Sequence, residues 1–321
     1  MKIFYGTIID INFLARGIAV YDSISRLEKK RMFGFYCMDE HSARILDELS
    51  LPGAEVIRHK EFETAALKSV RGKRLMSEYC WTSKPAVLRH AQTKWPSIDW
   101  AVYLDSDMMV FGDPDQAIPQ TDKAKCLLTH HRFSLSEFSA YGPSAGWYNA
   151  GYIAFRNDDG GRRVMDWWQA RCIECCPATP MNGQSGDQKY LDQFSEEFEG
   201  VATSTLKGLN TAPWNIDAYS VNHTDGSVCV DEEELLIYHF QAFQIFGTRL
   251  YDCYRGPHRL PKKAVQYIYR PYIQQLRRAY EMVRTVEPGF SRGMQRFLTG
   301  PSDVRRQVVS QVRRTSNLLL V

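Results

Sequence analysis

Three short apolar runs, at residues 2–9, 31–37 and 55–58, are separated by segments whose apolar residues recur at helical spacing. Leu14, Ile18, Tyr21 and Ile24 share one face of a helix predicted over 13–26, and a second helix is predicted over 40–49. The Pro52-Gly53 turn leads into the third run. This βαβαβ order predicts a mainly parallel sheet with helices on both faces. The polar, basic stretch 59–74 has no clear periodicity, and a helix is expected over 83–94 with Pro85 in its first turn, where a missing N–H costs little.

The fourth apolar run carries the chemistry. Trp100-Ala-Val-Tyr-Leu ends at Asp105-Ser106-Asp107. A buried strand that leaves a parallel sheet on two carboxylates places them where open α/β sheets bind ligands, at the carboxyl end of a strand. Two carboxylates there form half of a site for a hard cation, Mn²⁺ or Mg²⁺, with phosphate oxygens and water completing it. A charged turn uses the same residues, so position is what favours the metal. A strand-like run at 108–111 follows, then the Gly112-Asp113-Pro114 turn.

The second half mixes elements. Strands are expected at 125–128, 152–155 and 235–240, and helices at 162–174 and 187–194. A Gly/Pro-containing stretch at 254–262 precedes two further helices, 264–284, which Pro271 would bend, and 303–319. These divide the chain into a body, 1–250, and a C-terminal extension, 251–321.

With 44% hydrophobic, 24% charged and 12% aromatic residues, the chain is too apolar for a disordered protein. Its net charge of +3 hides a division. Residues 249–321 hold 15 Lys+Arg against 4 Asp+Glu, while residues 1–248 hold 25 against 33. The basic extension reads as a solvated helical face or as a surface for anionic membrane, its Arg pairs flanked by tyrosines and by the apolar end 318–321. It carries no nucleic-acid motif, so no nucleic-acid partner is expected. The N-terminus reads as a strand rather than a leader, which gives a cytoplasmic expectation, peripheral on the inner membrane face, with the eight cysteines as reduced thiols. Cys172-x-x-Cys175-Cys176 has no partner of zinc-site spacing.

The Asp-x-Asp segment resembles that of nucleotide-sugar glycosyltransferases of the GT-A fold, and the ordered set of motifs is similar to glycosyltransferase family 8 and its bacterial relatives. Thr7, Asp10, Asn12 and Arg16 match the nucleotide-binding first strand and helix; Lys84 lies in the helix before the metal motif. Asn149-Ala150-Gly151 matches the segment against the donor sugar, Asp187-Gln188 the family's Asp-Gln helix start, and Asn215 and His239 the late Asn segment and metal-binding His. The resemblance covers about residues 1–250 and implies a GT-A fold: a mainly parallel mixed sheet flanked by helices, here with a helical basic extension.

It further implies that Asp105, Asp107 and His239 hold the cation, that Ser106 and the residues above bind the donor, and that Asp187 and Gln188 act at the transferred sugar. The donor would be a nucleoside-diphosphate sugar, UDP by resemblance, and the acceptor a saccharide or lipid-linked glycan, with retention by front-face attack. The sequence departs from the family after His239, where the Lys that would hold the diphosphate is absent; Arg249 or Lys84 is expected in its place. Asp187 has a second reading as a helix cap, and His239 as a core residue. A metal-dependent nucleotidyltransferase or phosphohydrolase is the rival enzyme class, disfavoured because the loop after the first strand lacks glycines; a non-catalytic glycan- or membrane-binding module is the third reading.

Overall fold

In the computed structural model, residues 1–135, 137–138, 144–256, 258–295 and 317–321 are described. β1 (Ile3–Ile9) is buried along its whole length, as a central strand covered on both faces must be. It pairs in parallel with β2 (Met32–Cys37), β2 with β3 (Ala54–Arg58), and on its other side β1 pairs in parallel with β4 (Trp100–Leu104). The sheet continues through β7 (Tyr148–Arg156), antiparallel to β4, then β6 (Cys126–His130) and β8 (Val201–Ser204). The order is β3-β2-β1-β4-β7-β6-β8. The chain runs outward from β1 to β3 and then returns to β4 on the far side. β1 and β4 therefore flank the reversal point, where the crevice of such sheets lies.

Local chemistry fixes the helices. The Asp10 carboxylate accepts the Asn12 and Phe13 N–H groups at 2.9 Å each and starts α1 (Leu14–Ser25). Asp39 caps α2 (Glu40–Leu49) through the Ser42 N–H. α3 spans Met76–Lys94, opened by Glu78 bonding back to the Leu75 N–H, so it begins well before the expected 83. Pro85 consequently lies inside the helix rather than in its first turn. The stretch 59–74 forms two short helices, His59–Phe62 and Ala65–Val70. α4 (Asp159–Glu174) is capped by Asp158 and buries Trp168 under the sheet. The predicted 187–194 helix is a 3₁₀ segment, Gln188–Gln193, and a single α turn, Phe194–Glu197.

The first helix of the extension is α5 (Arg270–Val286). A π-helical turn, Val265–Tyr269, precedes Pro271, a placement that suits a residue with no N–H to give. Tyr272, Leu276, Tyr280 and Val283 are buried in the same core as Leu14 and Ile18 of α1, and the Tyr272 ring stacks on Phe240 at 3.6 Å. The apolar face expected to meet a membrane is thus turned into the protein. Of the helix expected at 303–319, residues 303–316 lie outside the described residues. Its end is not helical: Leu318–Leu320 forms a strand, β11, that pairs antiparallel with β10 (Leu250–Asp252), because Leu319 and Val321 find the core there. Among the described residues no helix is long and apolar enough to cross a membrane.

Candidate active site

A cleft of about 820 Å³ opens at the carboxyl ends of β1 and β4, within the usual range for small-molecule sites. The corner that could hold a cation is built by backbone pairing. The Asp105 N–H donates to the Gly151 carbonyl at 2.8 Å, and the Phe240 N–H to the Asp107 carbonyl at 2.8 Å. β5 (Met108–Val110) pairs antiparallel with β9 (Ile237–His239), setting His239 opposite Met108. The ligand atoms of Asp105, Asp107 and His239 all lie within 4.8 Å of one another. His239 Nε2 is 3.2 Å from Asp107 Oδ1 and 3.9 Å from Asp105 Oδ2. Gly151 makes this approach possible, since a Cβ there would meet Met108 Cε at 2.6 Å and His239 Cε1 at 2.8 Å.

Burial alone would raise the Asp107 carboxyl, but the His239 ring outweighs it and holds the group down at about 2. Burial conversely lowers His239, and Asp107 more than reverses that, leaving the ring above its ordinary value. Two carboxylates and an imidazole converging on one point fit a divalent cation with oxygen and nitrogen ligands.

Beside this corner lies a buried ion triad. Lys84 Nζ, on α3, is 3.1 Å from Asp105 Oδ1 and 3.2 Å from Asp187 Oδ2, and donates to the Ala150 carbonyl at 3.2 Å. The ammonium also lies 4.8 Å from the centre of the Tyr103 ring. Burial lowers the Lys84 ammonium, and the two carboxylates more than compensate. Asp187 stands above the usual carboxylate range, chiefly from burial, with Lys84 opposing. The Asp187 side chain makes no cap bond, so its alternative reading as a helix cap is not what the structure contains. The Trp168 indole instead holds the segment through the Asp187 carbonyl at 2.9 Å.

Asp10, Ser106, Asn149, Asp187 and Gln188 all line the cleft together with Asp105, Asp107 and His239. Thr7 is buried in β1 with its hydroxyl unpartnered. Asn12 is exposed and bonds Asp10 at 3.4 Å. Arg16 donates to the Phe243 carbonyl at 2.9 Å and stacks its guanidinium 5.2 Å from the Phe13 ring. Asn215 is buried behind the wall and donates to the His131 carbonyl at 2.8 Å. Arg249 is exposed at the start of β10 and does not line the cleft. The wall includes two groups the sequence reading did not assign, His131 and Phe133, whose rings stack at 4.5 Å. Trp214 closes it, edge-on to His239 at 5.2 Å between ring centres. Behind them Asn210, at a left-handed φ of 57°, bonds Asn149 and Thr129. A histidine pair at the end of a strand was the available signal for His131.

The uncharacterized protein YfnD of Bacillus subtilis (strain 168) is 31% identical over 261 residues, spanning 80% of this chain and 83% of YfnD. The chain belongs to the YfnD family. A second B. subtilis member, the uncharacterized protein YfnF, is 27% identical over 293 residues, 89% of this chain and 96% of YfnF. No family model matches the chain. Among solved structures, the galactosyltransferase LgtC, in complex with donor and acceptor sugar analogs, has a TM-score of 0.55 at 15% identity over 86% of this chain and 95% of LgtC. An active-site mutant of LgtC gives 0.53 at 16% identity over the same shares. At that identity the likeness is one of fold: this chain has the GT-A fold.

Proposed function

We propose that the chain is a metal-dependent glycosyltransferase that moves a sugar from a nucleoside-diphosphate sugar, UDP-linked, to a hydroxyl of a saccharide or lipid-linked glycan. The observation that carries this reading is the convergence of Asp105, Asp107 and His239 on one point, in the same cleft as Asp187 and Gln188. The LgtC likeness supports it, because that protein is a galactosyltransferase seen with donor and acceptor sugar analogs. A bound Mn²⁺ or Mg²⁺ would neutralise charge developing on the departing diphosphate. Asp105, Asp107 and His239 would hold it.

The chain's own residues do the rest. Asp10 and Ser106, which line the cleft, would face the nucleotide, and the walls of Trp81, Phe133 and Trp214 would exclude water from the reacting centre. Asp187 is tied to Lys84 and Gln188 is uncharged, so neither is a free carboxylate nucleophile. Retention, which the family resemblance implies, would then go by front-face attack rather than through a covalent glycosyl-enzyme, with a leaving-group phosphate oxygen taking the acceptor proton and Asp187 and Gln188 facing the positive charge at the sugar. Lys84 is engaged by protein carboxylates and Arg249 lies off the cleft, so the diphosphate depends on the cation rather than on either side chain.

Calorimetry decides the matter: UDP binding should require Mn²⁺ and weaken at least tenfold in Asp107→Ala, and turnover across UDP-Glc, UDP-Gal, UDP-GlcNAc and GDP-sugars should vanish with it. UDP binding indifferent to Mn²⁺, with turnover intact in Asp107→Ala, overturns the reading. Residence on the inner membrane face is proposed for the arginines of the extension alone. Binding to anionic vesicles that survives Gln substitution at Arg305, Arg306, Arg313 and Arg314, or is absent in the full chain, removes it.

A further inference from the structure

His131 stands just past the end of β6 and Asn149 at the start of β7, at the same end of the sheet, and backbone groups on both sides fix which atom is which. The Gly146 carbonyl can only accept, so the His131 Nδ1 at 3.0 Å from it carries the proton and Nε2 is a lone pair. The Gly151 N–H can only donate, so the Asn149 atom 2.9 Å from it is the oxygen. Asn149 Nδ2 then lies 3.3 Å from His131 Nε2 and 3.3 Å from Gln188 Oε1, while Asn210 Nδ2 donates to Asn149 Oδ1 at 3.0 Å. A primary amide has two donor hydrogens and two acceptor lone pairs. All four are consumed inside the protein, and none is left for a sugar hydroxyl. The Gln188 oxygen faces Asn149, which leaves its NH₂ group for the cleft that Gln188 lines.

The ring of His131 is suited to this task. It is buried, stacked on Phe133 and edge-on to Trp214. Burial pushes it down to about 3, so it remains neutral with its lone pair intact. A donor at Nε2 would oppose the Asn149 amide hydrogens and turn that group over, breaking its bond to the Gly151 N–H.

We infer that His131 is a positioning residue: acting through Asn149, it sets the amide of Gln188 against the cleft. The role given to Gln188 rests on the transferase reading; the orientation of the chain of amides does not. The test has two arms. In ¹⁵N-labelled protein at pH 7, the side-chain correlations of His131, assigned by their loss in His131→Gln, should show the Nδ1–H tautomer, which is the minor form of a free imidazole in water. An Nε2–H tautomer or a charged ring overturns the inference whether or not any sugar nucleotide turns over. Second, His131→Phe keeps the stack but removes both nitrogens. It should lower kcat roughly 10- to 100-fold, the cost of a small misplacement, with donor KM changed less than about threefold. His131→Gln, which retains an acceptor oxygen, should recover most of that loss. A rise in donor KM with kcat intact refutes the positioning role. If no sugar nucleotide is turned over by the unaltered chain, the transferase reading falls, and the ring tautomer still decides how Asn149 is held.

Discussion

Replacing Lys84 with methionine keeps the unbranched stem of the side chain, one atom shorter, and removes one charge from a place where two carboxylates depend on it. The ammonium lies 3.1 Å from Asp105 and 3.2 Å from Asp187, and its side chain is 3% exposed, against 24% for Asp105 and 5% for Asp187. Removing one partner of a buried ion pair typically costs about 3–5 kcal/mol, because the remaining charge is left uncompensated. Unfolding entropy of about 2.1 cal/mol/K per residue gives ~0.7 kcal/mol/K for a chain this long, so the melting temperature should fall by about 4–7 °C. Two controls locate the effect. In an Asp187→Asn background the same replacement should cost at least about 1 kcal/mol less, since one of the stranded carboxylates is gone. Added Mn²⁺ should also raise the melting temperature more in Lys84→Met than in the unaltered chain, because a cation beside Asp105 replaces part of the lost charge. Thermal denaturation followed by circular dichroism reads all three. A shift below about 1 °C, or equal costs in both backgrounds, would show that Lys84 is not the counter-ion of this pair.

Two further outcomes follow from the geometry. Asp115 accepts the Tyr5 hydroxyl at 2.7 Å and Arg31 Nε at 3.0 Å, and also pairs with Lys29. Burial would raise its carboxyl, but the Lys29, Tyr5 and Arg31 bonds win and lower it. A lowered carboxyl stabilises the fold above the unfolded value near ~3.9, and that contribution is lost as pH falls through the folded value. Asp115→Asn should therefore melt earlier than the unaltered chain at about pH 6, with the gap closing from about pH 4 downward; a gap that is constant with pH contradicts the assignment. Gly151→Ala puts a methyl 2.6 Å from Met108 Cε and 2.8 Å from His239 Cε1. It should cost about 1–3 kcal/mol by overpacking and weaken Mn²⁺ binding by calorimetry, and unchanged Mn²⁺ affinity would show that His239 does not need this approach.

What was legible in the sequence was what local pattern controls. The β1-α1-β2-α2-β3 series and the strand ending at Asp105 are set by periodicity and by capping groups within a few residues of each element. The placing of Asp105 and Asp107 at the cleft was legible as well, because a strand that ends on two carboxylates has only one exit from the sheet; His239 beside them was read from the family resemblance. Pairings between distant segments were not legible. Lys84 is offered by the sequence as a phosphate ligand, and only the packing of α3 shows its ammonium meeting Asp187 from a different element. Asn149 is set against the donor sugar by resemblance, and only the structure shows that His131, Asn210 and Gln188 surround its amide. The run Leu318-Leu-Leu is too short for its period to separate a strand from a helix end, and pairing with β10 decides it.

The same distant pairing changes the meaning of the uneven charge. Residues 249–321 carry more than the whole of the chain's net positive charge, yet this segment is not an appendage on a finished body. Asn317 donates to the Tyr254 and His258 carbonyls at 3.0 Å each and accepts the Leu260 N–H at 2.8 Å. The segment it holds sends the Tyr254 hydroxyl and His258 Nδ1 to Glu137 Oε1, at 2.6 Å and 2.9 Å, and Glu137 lines the cleft. A chain of hydrogen bonds thus runs from the last residues to the wall of the candidate active site. Truncation from residue 262 would remove α5 from the core and Asn317 from that chain at once, so loss of vesicle binding in such a variant would report unfolding as readily as a lost membrane contact. Exposed arginines are different: Arg277 and Arg278 face solvent on α5 while Tyr272, Leu276 and Tyr280 face the core. Substituting arginines changes the charge and leaves the packing, which separates the two roles that the basic extension combines.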